Sequence, residues 1–148
     1  MKINNFGTST TPFLADRDAN SKVGKSGDFF AADLLKSQDT QSMDRLTALL
    51  AEIDVSGKQL STVPTYAELR NYRELVRNFI GEAVGRMYSL ESQSGWDRHG
   101  RHKMFKIIRK VDETLVGMAE DVRVGQERQL SIMAKHDAIR GMLVDLYS

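Results

Sequence analysis

The stretch Met104-Phe105-Lys106-Ile107-Ile108-Arg109-Lys110-Val111-Asp112-Glu113-Thr114-Leu115-Val116-Gly117-Met118-Ala119-Glu120-Asp121-Val122 decides the fold class. Its residues Met104, Ile108, Val111, Leu115, Met118 and Val122 advance by alternating steps of four and three. An α-helix keeps such a series on one face, as a heptad seam. Phe105 and Ile107 widen that face toward a globular core rather than a two-stranded coiled coil. The helix is predicted to end near residues 120–124.

Outward from this seam the same spacing recurs. Toward the C-terminus, Ile132, His136, Ile139, Leu143 and Leu146 form a fourth helical stripe, with Leu130, Met133 and Met142 beside it. Val124-Gly125-Gln126 is a poor turn signal, which leaves open two helices or one bent helix. Upstream, Leu69, Tyr72, Val76, Phe79, Ala83 and Leu90 mark a helix over about 66–90. Thr65 is its predicted cap, with Glu68 completing a capping box. Ser92, Ser94 and Gly95 break it. Met43, Leu46, Leu50 and Ile53 predict a first helix over about 41–56, with Gly57 as its stop. No segment alternates with the period of a strand. The expected fold is therefore all-α, an antiparallel bundle of about four helices over 41–148. Residues 1–40 are expected to be a mostly disordered, flexible arm. Residues 1–27 are polar and Gly/Ser-rich, but Phe29, Phe30, Leu34 and Leu35 suggest a short docking helix.

Bulk composition narrows the function classes. The chain has 148 residues and a formal charge of +1, from 21 basic and 20 acidic side chains. Its overall field is weak, so binding of an anionic partner requires a local patch. There is no cysteine, which removes thiol catalysis and Cys-ligated zinc. No apolar run approaches the roughly 20 residues of a membrane span, and the N-terminus lacks the apolar core of a secretory signal. The expected setting is cytoplasmic, without membrane contact.

Four segments carry a family resemblance: Tyr72-Arg73-Glu74-Leu75-Val76-Arg77-Asn78-Phe79, Gly95-Trp96-Asp97-Arg98-His99-Gly100-Arg101-His102-Lys103, Val111-Asp112-Glu113-Thr114-Leu115, and Ile139-Arg140-Gly141-Met142-Leu143-Val144-Asp145-Leu146-Tyr147. Together, over about residues 42–148, they resemble the YaaR family of small bacterial proteins of unknown function. Arg73 departs from the Lys expected there, keeping the charge but changing the donor geometry. The resemblance implies a helical bundle in a bacterial cytoplasm. It supplies no activity and no catalytic residue.

The chemistry-bearing residues gather in Gly95–Lys103, with the only Trp and two of the three His. His99 and His102 are three apart with Asp97 nearby, yet Gly100 separates them and Arg98, Arg101 and Lys103 would repel a cation. No metal and no cofactor are expected. Lys103, Lys106 and Lys110 share an arc of about 60°, which could follow phosphates while Trp96 stacks on a base. The commoner fate of such a charge run is a solvated face. His136 reads as a satisfied core histidine. Arg101 with Asp145 or Asp112 reads as a partly buried, register-setting pair, or else as a snorkelling arginine. Gly81 and Gly85 offer a face for close approach by another backbone, such as the arm, a second subunit or a partner helix.

The sequence contains no nucleophile–base pair, phosphate-binding glycine loop or dinucleotide fingerprint. The expectation is a non-enzymatic protein–protein interaction or adaptor module, binding another protein or itself. The expected contact surface is Trp96, Arg98, His99, Arg101, Lys103 and Lys106. The alternative is an RNA- or DNA-associated protein using the basic Trp96–Lys110 region.

Overall fold

The computed structural model describes the backbone over residues 4–94 and 98–147, and side chains over 27–90 and 99–147. The chain forms two compact units, Met1–Thr40 and Gln41–Ser148. Among the described residues there are four α-helices and no strand. They are α1 (Asn4–Thr62), α2 (Tyr66–Ser94), α3 (Arg98–Val124) and α4 (Gln129–Tyr147), with a 3-10 turn at Gln126–Arg128. In the first unit the side chains of Phe29, Phe30, Leu34 and Leu35 are exposed.

The second unit is a helical bundle. The seam of α3 is buried from Met104 to Val122, apart from partly buried Ile108. It meets Leu46, Leu50, Ile53 and Leu60 of α1, Leu69, Tyr72, Val76, Phe79 and Ala83 of α2, and Ile132, Ile139, Leu143 and Leu146 of α4 in one core. Burying each large aliphatic or aromatic side chain contributes about 1.5–3 kcal/mol, which makes these stripes the main source of stability. Leu90, expected on the inner face of α2, is exposed instead. It lies beyond the last buried residue of that stripe, Ala83.

Side-chain contacts give the helix directions. Ser42 donates to Glu82 at 3.1 Å and Arg45 pairs with the same carboxylate at 3.4 Å, joining α1 to α2. Tyr72 meets His136 and Phe79 meets Tyr147, so α2 and α4 run in the same sense. Asp121 of α3 reaches Ser131 and Lys135 of α4, which closes the α3–α4 hairpin.

Both ends of α1 differ from the expected 41–56, and the α3–α4 junction, which the sequence leaves open, is decided. Gly57 does not stop α1, which continues to Thr62. The apolar spacing continues with Leu60, fully buried, and the glycine serves contact with α4 instead. At the other junction, α3 and α4 are separate helices. Gly125 has φ of 103°, a left-handed conformation that glycine adopts without a Cβ penalty. Its N–H donates to Asp121 O at 3.0 Å, closing α3. The start of α2 follows the sequence expectation, with Glu68 N donating to Thr65 Oγ1 at 3.3 Å.

Candidate functional site

The first turns of α3 carry the basic residues singled out from sequence. Met104 is 2% exposed and turns its side of the helix into the core. Residues His99, Arg101, His102, Lys103, Lys106 and Lys110 are consequently exposed. Arg98 opens the helix, but its side chain lies outside the described residues, as does Trp96 altogether. The structure therefore brings His99, Arg101, Lys103 and Lys106 onto one helix start and leaves the tryptophan's part in it unplaced. Among the described residues no three His, Asp or Glu side chains converge as metal ligands.

The register-setting pair expected at Arg101 is not buried. Arg101, Asp112 and Asp145 are all exposed, because each sits outside the arc that the seams of α3 and α4 turn inward. Arg101→Met is expected to leave the melting temperature within about 2 °C of wild type, as for an exposed position, measured by circular dichroism. Gly81 and Gly85 are likewise exposed, and a Cβ at either would meet nothing within 4 Å. No neighbour among the described residues uses the space these glycines leave.

The buried polar chemistry lies elsewhere. His136, 3% exposed, stands between three helices. Tyr72 Oη lies 2.8 Å from its Nδ1 and Asp54 Oδ1 lies 3.3 Å from its Nε2. Arg140 Nε donates to both Asp54 oxygens at 3.0 Å. A neutral imidazole satisfies this chain with one proton assignment. Tyr72 O–H donates to Nδ1, and Nε2–H donates to the carboxylate. Burial pushes the His136 pKa below its ordinary value, and nearby Asp54 and Asp137 oppose that shift without cancelling it. Burial, with Asp54 and Asp137 adding to it, also raises the Tyr72 phenol, keeping it a donor. His136 is thus the satisfied core histidine that its place on the α4 stripe predicts.

This carries a pH consequence. The unfolded chain takes up a proton near the ordinary value of 6.5, and the folded chain does so only lower. Stability is then fully present above about pH 6.5 and falls as the pH drops toward the folded value. Urea unfolding at stepped pH should show that slope in the wild type and lose it in His136→Gln. An unchanged slope in the variant would assign the titration to another group.

A partly buried ion pair escaped the sequence reading. Asp121 is 5% exposed and accepts hydrogen bonds from Ser131 Oγ at 2.7 Å and Lys135 Nζ at 2.5 Å. Burial raises its pKa, but Lys135 and Ser131 outweigh that and hold it below the usual carboxylate range. The available signal was Ser131 and Lys135 one turn apart on α4, a pair suited to clasp one carboxylate.

Concave sites among the described residues include the following. One, of about 600 Å³, runs between α1 and α2 and is lined by Ala51, Val55 and Leu75, with Glu52, Glu68 and Asn71 among its polar groups. A second, of about 330 Å³, follows α2 past Tyr66, Arg70, Arg73 and Arg77. A third, of about 210 Å³, lies in the α2–α3 crease over Ile80, Ile108 and Leu115.

The family described as "Protein of unknown function (DUF327)" matches this chain over residues 10–147. The chain belongs to the DUF327 family. It is 24% identical over 119 residues to "Uncharacterized protein YaaR" of Bacillus subtilis (strain 168), covering 80% of this chain and 82% of that protein. The YaaR resemblance read from the sequence is therefore upheld. The crystal structure of uncharacterized protein BH1478 from Bacillus halodurans is similar, with 34% identity, a TM-score of 0.71, and 80% of this chain and 97% of that one covered. The fold is shared with protein TM1646 from Thermotoga maritima, at 22% identity and a TM-score of 0.66, over 80% of this chain and 97% of that one. DUF327 is thus a helical-bundle family, and no helix among the described residues is long and apolar enough to cross a membrane.

Proposed function

We propose that this DUF327 protein is a non-enzymatic interaction module that takes a basic amphipathic helix of another protein into the groove between α1 and α2. The observation that carries this reading is the apolar exposure in that groove, where Val55 remains 69% exposed beside Ala51 and Leu75. Ala51, Val55 and Gln59 are spaced one turn apart on α1, as are Asn71 and Leu75 on α2. Two parallel rows at helical spacing form the kind of cleft an amphipathic helix fills. Glu52 and Glu68 line it with negative charge, which favours a basic partner. Ser56 Oγ, buried in the same wall, makes no hydrogen bond among the described residues. The buried ionisable groups described above are engaged in structural pairing, which fits work done through a surface.

The basic start of α3 is a second contact in this reading. The nucleic-acid alternative rests on the exposure of Lys103, Lys106 and Lys110 on one face. Affinity purification from the native cells tests both, using wild type, Val55→Asp and an Arg98→Ala/Arg101→Ala/Lys103→Ala triple variant. A protein partner lost from Val55→Asp and retained in high salt supports the groove. A partner that survives Val55→Asp refutes it. Recovery only in low salt, abolished by nuclease and by the triple variant, moves the function to nucleic acid.

A further inference from the structure

Tyr66, Arg70, Arg73 and Arg77 advance by four, three and four residues along α2, so they share one face. The three arginines span about 10 Å of helix, at the 1.5 Å rise per residue. All four side chains are exposed, Tyr66 at 61%, and they line a single concave site. Arg45, Arg123 and Arg140 each hold a carboxylate. Arg70, Arg73 and Arg77 form no ion pair or hydrogen bond among the described residues, although Glu74 lies within pairing distance along the helix from Arg70 and Arg77. Three guanidinium groups thus face one carboxylate in this lining, an excess of positive charge on a chain that is nearly neutral overall.

We propose that this face of α2 binds a chain of phosphate groups, with Arg70, Arg73 and Arg77 clamping successive phosphates. The guanidinium fork matches phosphate oxygens two at a time. Neighbouring arginines stand about 4.5 and 6 Å apart along the axis, and their flexible stems adjust to a linear polyanion. An acidic protein surface fits less well. Beyond Tyr66 the lining offers only Leu69, itself 4% exposed, so a protein partner finds little to desolvate. Two sources share the phosphate chemistry, a single strand of nucleic acid and inorganic polyphosphate. Tyr66 separates them, since only the former brings a base to stack on its ring. This inference is independent of the α1–α2 groove and uses a different helix from the α3 lysines.

The experiment is fluorescence anisotropy of labelled oligo-dT with the full chain over a range of salt, with polyphosphate and polyglutamate as competitors. The Arg70→Ala/Arg73→Ala/Arg77→Ala variant, checked for an unchanged thermal melt, is expected to bind at least about ten-fold more weakly at low salt. The slope of log affinity against log salt should fall by about 2, for three lost single-strand phosphate contacts. Full affinity in the arginine variant together with a loss in Lys103→Ala/Lys106→Ala/Lys110→Ala would place the phosphates on α3 instead. A several-fold loss in Tyr66→Ala for oligo-dT, with polyphosphate binding intact, assigns the site to nucleic acid. Equal oligo-dT binding by Tyr66→Ala keeps the clamp and assigns it to polyphosphate. No salt-dependent binding by wild type, full affinity in the arginine variant, or equal displacement by polyglutamate would overturn the proposal.

Discussion

Gly57→Ala is expected to destabilise the bundle by about 2 kcal/mol, near the middle of the range for overpacking a core, although alanine is the better helix former. On intrinsic propensity the change should stabilise α1 by about 1 kcal/mol. The opposite sign is expected because a Cβ at Gly57 would overlap the His136 ring. That ring cannot swing aside freely. Tyr72 holds one nitrogen and Asp54 faces the other. Either the imidazole leaves its partners, orphaning a buried phenol, or α1 and α4 move apart. Thermal unfolding should show a fall on the order of 8 °C for a bundle of this size. The decisive measurement is the double variant with His136→Ala. With the ring removed, Gly57→Ala should become neutral or stabilising, a sign reversal that a propensity or surface effect does not produce. If alanine at 57 costs the same in both backgrounds, the glycine is not there for the histidine.

Lys135→Met is expected to cost about 3 kcal/mol, the low end for breaking a buried pair, since the lysine is partly exposed. The buried Asp121 carboxylate would lose its strongest donor and keep Ser131. The lysine stem also lies against Gly117, where a Cβ would come within 3.0 Å of its Cε. Methionine preserves that packing and removes the ammonium, so the loss reports on charge rather than on volume. Acid unfolding provides a second readout. Asp121 titrates below its ordinary 3.8 when folded, so its contribution is present above that pH and lost as pH falls through the folded value. With Lys135 gone, burial is less opposed, and the acid midpoint should move up. Replacing both partners, as Asp121→Leu/Lys135→Met, should recover most of the loss, because an apolar pair avoids the desolvation of an unpaired charge. A single variant as stable as wild type would show that the pair does not hold the α3–α4 hairpin.

Two glycines, Gly57 and Gly125, mark where sequence reading reached its limit. Gly57 looked like a helix stop because glycine is common there. Its actual role depends on His136, 79 residues away in the chain, and no local pattern joins them. Gly125 sat in a weak turn signal, yet its positive φ separates α3 from α4. Arg101 with Asp145 or Asp112 read as a partly buried pair or else as a snorkelling arginine, because they lie near apolar stripes, whereas Asp121 is a carboxylate that the bundle encloses. The difference is one of angle. A residue beside the seam faces a neighbouring helix or water according to where the next helix crosses, and one chain position does not encode that. The sequence reading did not single out Arg70, Arg73 and Arg77 together, which became a candidate site only because they lie in a concavity without a pairing partner among the described residues.

Residue order alone determined that the bundle has four helices, though not the extent of α1, and most of the buried face, because 3.6-residue periodicity is a local property and apolar stripes must leave water. Thr65 as the cap of α2 and His136 as a satisfied core histidine belong to the same class, set by position on a single helix. The tertiary structure decided the partners, including Tyr72 and Asp54 on His136, Lys135 on Asp121, and the groove that Val55 shares with Leu75. Those depend on how helices distant in sequence approach one another, which packing of side-chain volumes and desolvation of charge settle only when all four are assembled.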